Sequence, residues 1–475
     1  MTTSRREFLQ TVAGTAATFG AVTLAAPEFF NAAQASPDCP DPNDPNDPNA
    51  ITDPDHEIGK PYVGWKEGEL DLHFIHTGQT ENCFHIFPDG TTMLVDTGQR
   101  TTKGFGKTSW NPMKKDEAGC VPKPDDSRLC GEWVARYIER LRPELKKIDY
   151  VMASHFHTDH IGQSGQGAGM KGLEGDKDYQ ISGISHVGEF YKFGTAFDRG
   201  YPDYSRPTAW APKERENLVK FWDYAEEKLG LKREKFEVGA LDQIKLVSAP
   251  EKYDFHIRNL CANGVVWTGD GEKTEDVFAL NPKNLEENQN ENTRSMAIVM
   301  QYGNFRFYTG GDVAGVLKDK DEKDADFEGR VGRVCGPVDV CKTNHHASGD
   351  AMRPTFVKAI QSRVYITCCW WMGHVNAKTS ATMTDENLYP GARLLCPTDP
   401  HPLNAEMFKD KPWRKYMCEK SGHVVVKAYD GGAKYKVYFL TADDESMKVN
   451  LVFGPFDASG KTRLEAQTAG NAVRS

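Results

Sequence analysis

The chain has 475 residues, more than one minimal domain needs and enough for one large domain with insertions, or for two. A hydrophobic share of 39% and an aromatic share of 11% are ordinary for a soluble globular protein. The net charge of −10 argues against a binder that covers phosphates with Lys and Arg, so long nucleic acid is not the expected partner. A single phosphate held on metal ions stays compatible with it.

At the N-terminus, Ser4-Arg5-Arg6-Glu7-Phe8-Leu9 precedes a weakly apolar run from Thr11 to Ala26, and Ala33-Gln34-Ala35 supplies a small-residue cleavage pattern. The stretch resembles a bacterial twin-arginine signal peptide. That resemblance implies a cleaved signal over residues 1–35, the twin-arginine translocase as a partner during export, and a periplasmic or extracellular destination. The apolar run falls short of the roughly 20 residues that span a bilayer, and no later segment is long and apolar enough, so no stable membrane insertion is expected. The cysteines number 11, an odd count at irregular spacings, which does not read as a disulfide framework. Cys120 with Cys130 and Cys335 with Cys341 are close enough in sequence to pair, whereas Cys368 and Cys369 read as free apolar thiols on a buried strand.

Residues 36–60 hold tandem Asp-Pro-Asn units from Asp41 to Asn49, a composition that cannot build a core and reads as a disordered spacer. The folded domain is expected over 61–450. Leu70 to His76 alternates apolar and polar residues as a half-buried strand does. Cys83 to Phe87, the turn Pro88-Asp89-Gly90, and Thr92 to Gly98 form a predicted hairpin ending in a Gly-bounded loop. Val134, Tyr137, Ile138 and Leu141 share one face of a predicted helix that Pro143 closes, and Ile148 to Ser154 is the next strand. Residues 165–240, opening Gly-rich and closing on an amphipathic helix from Glu214 to Leu229, read as an insertion. Further strands are predicted at Ile244–Val247, Phe255–Leu260, Ala297–Gln301, Phe305–Thr309, Val338–Thr343 and Val364–Trp371, then a hairpin from Val424 to Leu440. Residues 451–475 read as a C-terminal tail.

The chemistry concentrates directly after the Ile148–Ser154 strand, in His155-Phe156-His157-Thr158-Asp159-His160. In an extended segment, residues two apart point the same way, so His155 and His157 can share one metal ion. Asp159 and His160 lie past the turn and can reach a second. Imidazole and carboxylate donors without thiolate suit zinc first, and also admit manganese or iron.

This His-x-His-x-Asp-His pattern resembles the signature of the metallo-β-lactamase superfamily, and other segments agree over roughly residues 70 to 375. Ile75-His76-Thr77-Gly78-Gln79 and Leu94-Val95-Asp96-Thr97-Gly98 look like its opening hairpin and Asp-x-Gly loop. The segment from Asn292 to Ser295, then Phe305 to Asp312, resembles the strand pair that delivers a metal-bridging aspartate. Asn344-His345-His346-Ala347-Ser348 is similar to a His-His-Gly-Ser element, with Ala347 at the Gly position. The last two are similar to the hydrolase domain of competence-type DNA-uptake proteins and to secreted phosphorylcholine esterases. The resemblance implies an α/β fold, a four-layer αββα sandwich with an insertion. It also implies two divalent metal ions: His155 and His157 on the first, Asp159 and His160 on the second, and Asp312 bridging. One histidine of the His345–His346 pair completes the second site, with His345 favoured and His346 left to stabilise developing charge. A third histidine for the first ion has no recognisable motif. His186, His256, water or substrate are the open choices. Asp96 reads as a support for a ligand or its loop, Asp159 as the group that orients the nucleophile, and His374 as a substrate-side histidine.

The expected activity is metal-dependent hydrolysis of a phosphodiester or phosphate ester, with a small molecule as substrate. A lactam, lactone or other acyl-bond hydrolase and a catalytically silent exported metal-binding protein are the alternatives, because a fold does not choose its substrate.

Overall fold

The structure, a computed structural model, describes residues 53–100, 119–164, 178–204, 212–281, 283, 291–314 and 317–472. The expected signal and the Asp-Pro-Asn units lie outside the described residues. In chain order the strands begin with β1 (Leu70–Phe74), β2 (Asn82–Ile86), β3 (Thr92–Thr97), β4 (Lys147–Ala153), β5 (Lys192–Asp198) and β6 (Lys232–Arg233). Then come β7 (Phe255–Ala262), β8 (Val265–Trp267), β9 (Thr274–Asp276), β10 (Ala297–Tyr302) and β11 (Phe305–Thr309). The last are β12 (Val340–Lys342), β13 (Val364–Thr367), β14 (Leu394–Pro397), β15 (His423–Tyr429), β16 (Lys434–Leu440) and β17 (Val449–Asp457). They form a nine-stranded sheet, β17-β16-β15-β1-β2-β3-β4-β5-β6, and an eight-stranded sheet, β14-β13-β12-β11-β10-β7-β8-β9. The helices used below are α1 (Cys130–Leu141), α2 (Thr158–Ile161), α3 (Ile184–Val187), α4 (Pro212–Leu229), α5 (Phe327–Cys335) and α6 (Pro354–Ile360).

Side-chain alternation sorts each strand between two layers. Leu72, Phe74, Met93, Val95 and Met152 of the first sheet share one buried cluster with Ile298, Met300, Phe307, Val340 and Ile366 of the second. Their neighbours face outward. Phe84, Leu94 and Val151 meet Val134 and Ile138 of α1 and Phe221 and Trp222 of α4. On the other side Val299, Tyr308, Cys341 and Tyr365 meet Val331 of α5 and Phe356 of α6. The sequence is helix, sheet, sheet, helix, which is the expected αββα sandwich. Because both faces of each sheet are covered, the central strands read as apolar runs without clean alternation. Truncating a residue in the middle layer, such as Phe307→Ala, costs about 3–5 kcal/mol.

Several expected boundaries differ. Residues 165–240 are not all an insertion: β5 lies parallel to β4 and β6 parallel to β5, so this stretch supplies an edge of the main sheet. Residues 451–475 are not a plain tail, since β17 pairs with β16 as the opposite edge and a helix follows over Gly460–Ala472. The spacer ends early. The Gly59 N–H donates to the Val449 carbonyl at 2.9 Å and the Lys436 ammonium meets Glu57 at 2.8 Å, which pins residues 53–60 to that edge. Ile244 and Leu246 are buried between the sheets from an irregular segment, not a strand. Strand β13 stops at Thr367, so Cys368 and Cys369 lie just past it. All ten cysteines among the described residues are buried, and Cys120, Cys130, Cys335 and Cys341 are thiols, so neither Cys120/Cys130 nor Cys335/Cys341 is a disulfide. No helix among the described residues is long and apolar enough to cross a membrane.

Strand direction places the site. β3, β4 and β5 run parallel in one sheet, as do β11, β12, β13 and β14 in the other. Their carboxyl ends open toward loops that meet at one edge, the usual location of ligand sites in such sheets. There the Met296 N–H donates to the Ser154 carbonyl at 3.0 Å and ties the two sheets together.

Candidate metal centre

The turn after β4 carries the histidine cluster, and its shape depends on what lies behind it. Asp96, at the end of β3, accepts from the Ser154 N–H at 2.7 Å and from the Ser154 hydroxyl at 2.6 Å. Its Oδ2 also faces Nδ1 of His160 at 2.8 Å. Asp96 therefore sits behind His160 and fixes Nδ1 as the protonated nitrogen and Nε2 as the free donor. Gly98 is demanded by a close approach: a Cβ there would lie 2.2 Å from the Asp159 carbonyl oxygen.

Asp312 comes from the other sheet. After β11 the chain turns at Gly311, with φ of +51° and Ser154 Oγ 2.5 Å from where a Cβ would stand. The Asp312 N–H then donates to Ser295 Oγ at 3.2 Å, so the Asn292–Ser295 segment serves to aim this carboxylate. Asp312 Oδ2 lies 3.2 Å from His160 Nε2 and 3.7 Å from His155 Nε2.

Two groups of metal-ligating atoms result, each with its atoms within 4.8 Å of one another, and Asp312 belongs to both. One is His155, His157 and Asp312. The other is Glu81, His160, Asp312 and His346. Asp159 joins the second group through Oδ2, 3.3 Å from His346 Nε2 and 3.9 Å from His160 Nε2.

Of the pair His345–His346, the sequence favoured His345 as the ligand, and the second donor group contains His346. His346 is fully enclosed, with Nδ1 2.9 Å from the Cys368 carbonyl and Nε2 3.6 Å from Asp312 Oδ1, accepting there from the Trp370 indole N–H at 3.4 Å. His345 is turned to the rim. Its Nδ1 meets Asp350 at 2.7 Å, and its Nε2 meets Asn292 Nδ2 at 3.1 Å and lies 3.9 Å from Asp312 Oδ2. The reason is backbone conformation: His345, His346 and Ala347 all adopt left-handed φ, of 45°, 49° and 53°. Such residues persist only where their surroundings hold them. Here Asn344 anchors the loop, accepting from the Tyr308 hydroxyl at 3.0 Å and donating to Glu328 at 2.8 Å. The left-handed φ at Ala347 also explains why a Gly suits that position.

His186 and His256 join neither group. His186 is buried on α3, and His256 lies on β7 with Nδ1 2.8 Å from Asp242. His374 stacks on His346, with ring centroids 4.7 Å apart, and lines the cavity beside the cluster.

The donors fit divalent metal ions. His160 Nε2 and Asp312 Oδ1 are buried without a hydrogen-bond partner and point into the common space. Burial holds the His155 imidazole well below its usual pKa and lowers that of His157, which favours the neutral ligand form. For His160 burial opposes the cation, yet Asp312 and Asp96 outweigh it and raise the pKa well above the usual value. That is a field built to attract positive charge.

Glu81 and Lys342 escaped the sequence reading. Lys342 Nζ lies 2.7 Å from Glu81 Oε2, both fully buried, and donates to the Gly311 carbonyl at 2.7 Å. Glu81 falls in the gap between Gln79 and Cys83, and Lys342 inside the strand predicted at Val338–Thr343, and neither has a metal-ligand spacing to mark it. Comparison with curated proteins returns no match. Residues 76–167, which carry the opening hairpin, Asp96 and the histidine cluster, match the family model described as the metallo-beta-lactamase superfamily.

Proposed function

We propose that the chain is an exported two-metal hydrolase of a phosphate ester. A superfamily domain and a grouped set of His, Asp and Glu donors support metal-dependent hydrolysis. The observation that carries the finer reading is Asp312, one carboxylate shared by two donor groups at the floor of a cavity of about 790 Å³. His155, His157 and Asp312 would hold one ion, and Asp159, His160, Asp312 and His346 the other. Such a pair, most simply zinc, supplies Lewis acidity and a water acidic enough to attack near neutral pH. The remaining work belongs to the chain. Asp159, at the cavity floor, positions the attacking group. His374 is held neutral by burial and by His346 beside it. Its Nδ1 is turned to the Trp370 N–H at 3.4 Å, which leaves Nε2–H as a donor for a substrate oxygen.

The phosphate preference rests on Arg100, which lines the cavity with its guanidinium 3.8 Å from Asp159 Oδ1. Asn344, expected as a phosphate donor, is instead spent on Tyr308 and Glu328. The decisive experiment offers the zinc-loaded protein a chromogenic phosphodiester, a β-lactam and a lactone. Phosphodiester turnover above the others, with competition by inorganic phosphate, is the expected result. Lactam or lactone turnover with no phosphate ester cleaved would replace it by the acyl-hydrolase reading, and no turnover at full metal loading by a silent binding protein.

Export rests on Arg5 and Arg6. Replacing both by Lys should trap the precursor inside the cell, and normal processing of that variant would remove the export assignment.

A further inference from the structure

The cavity above Asp312 has two unlike sides. One is the donor floor, with His157, Asp159 and Asp312. The other is a wall of Trp371, Met372, Met407 and Phe408. Met407 is 50% exposed, one of the few large apolar side chains among the described residues left facing solvent. Its neighbours are packed into the fold. Phe408 packs on Trp413 with ring centroids 6.0 Å apart, and Asn404 donates to the Met372 carbonyl at 2.9 Å and to the Val375 carbonyl at 3.1 Å. An apolar wall fixed at the mouth of a polar site costs solvation unless a ligand covers it.

Between the two sides stands Arg100. Its guanidinium lies over the Trp370 ring, 4.7 Å from the centroid, and beside Asp159. A guanidinium over an aromatic face carries N–H groups in a planar fork, a shape suited to a tetrahedral oxyanion. A volume of about 790 Å³ exceeds what a bare phosphate or a methyl ester fills.

We infer that the substrate is an ester with an anionic head and a sizeable apolar or aromatic organic group, the head held by Arg100 and the group seated on Met407 and Phe408. This rests on the phosphate-ester reading above and adds to it the chemistry of the non-reacting part. Arg100 is then a binding residue for the head, and Met407 with Phe408 sets specificity.

The test reads binding rather than turnover. Calorimetric titration of the full, zinc-loaded chain with phenylphosphonate and with methylphosphonate should show the phenyl compound binding at least about tenfold tighter, the effect of burying a few CH₂ equivalents. Met407→Glu and Phe408→Ala should each drive that ratio toward one. Arg100→Gln should weaken both compounds and leave the ratio standing. Equal affinity for the two phosphonates, no binding of either, or a ratio untouched by Met407→Glu would overturn the inference. Preferential phenylphosphonate binding without cleavage of any phosphate ester would uphold the pocket and defeat the hydrolytic reading. Ester cleavage with no such preference would do the reverse.

Discussion

The two halves of the candidate centre are built from the same residue types and differ in how they are backed. In the half around His160 and His346, each imidazole is pinned from behind, by the Asp96 carboxylate and the Cys368 carbonyl. Beneath them the fully buried Lys342–Glu81 pair balances charge next to Asp312. The half around His155 and His157 has less. His155 Nδ1 faces the Ser154 hydroxyl at 3.1 Å, His155 Nε2 lies 3.1 Å from His157 Nδ1, and among the described residues this donor group holds no third histidine. A ligand whose tautomer and orientation are fixed in advance loses little freedom on binding, so the difference teaches that the ions should bind in order, the His160–His346 half first.

The largest effect should come from the residue common to both halves. Asp312→Asn is expected to remove at least one ion and to lower kcat/KM by on the order of 10²–10³-fold, as loss of one essential electrostatic group does. Retained metal content and rate would break the comparison at its root. Next, His346→Ala should abolish the tight ion, whereas His345→Ala, at the rim, should cost at most about tenfold in kcat/KM, a loss of about 1.4 kcal/mol. Metal analysis of the two variants side by side checks this, and the reverse order would restore His345 as the ligand. Asp96→Asn keeps the size of the side chain but weakens the acceptor behind His160. It should loosen the tight ion by about 10–100-fold and leave the weaker one in place. The smallest effect is expected at His256, 46% exposed on β7. His256→Gln should leave both ion affinities within about twofold, in keeping with surface substitutions away from buried features. A loss of the weak ion there would make His256 its missing ligand.

Much of this was legible in the sequence, for identifiable reasons. The His155–His160 cluster is short and follows a strand, so fixed offsets alone bring its donors together. The layers were legible because the apolar runs of β3, β4, β10 and β11 are bounded by turns. The choice between His345 and His346 was not, because it is set by three consecutive left-handed residues and by contacts with Asp350, Asn292 and Cys368, distant in the chain or invisible to spacing. Glu81 and Lys342 meet only when β2 and β12 face each other across the two sheets. The outer edges were hidden for another reason. β5 lies between Gly-rich and Tyr/Pro-rich stretches, and β17 follows a run of Asp and Ser that reads as the end of a domain.

The order of ion binding tests the account most directly. Zinc titration of the metal-stripped full chain, followed by calorimetry or a competing chelator, should show two steps separated by at least about tenfold in affinity, on the scale expected for fixed ligand orientation. His346→Ala should delete the tighter step and His157→Ala the weaker. A single step, or loss of the tighter ion from His157→Ala with the weaker one kept, would contradict it.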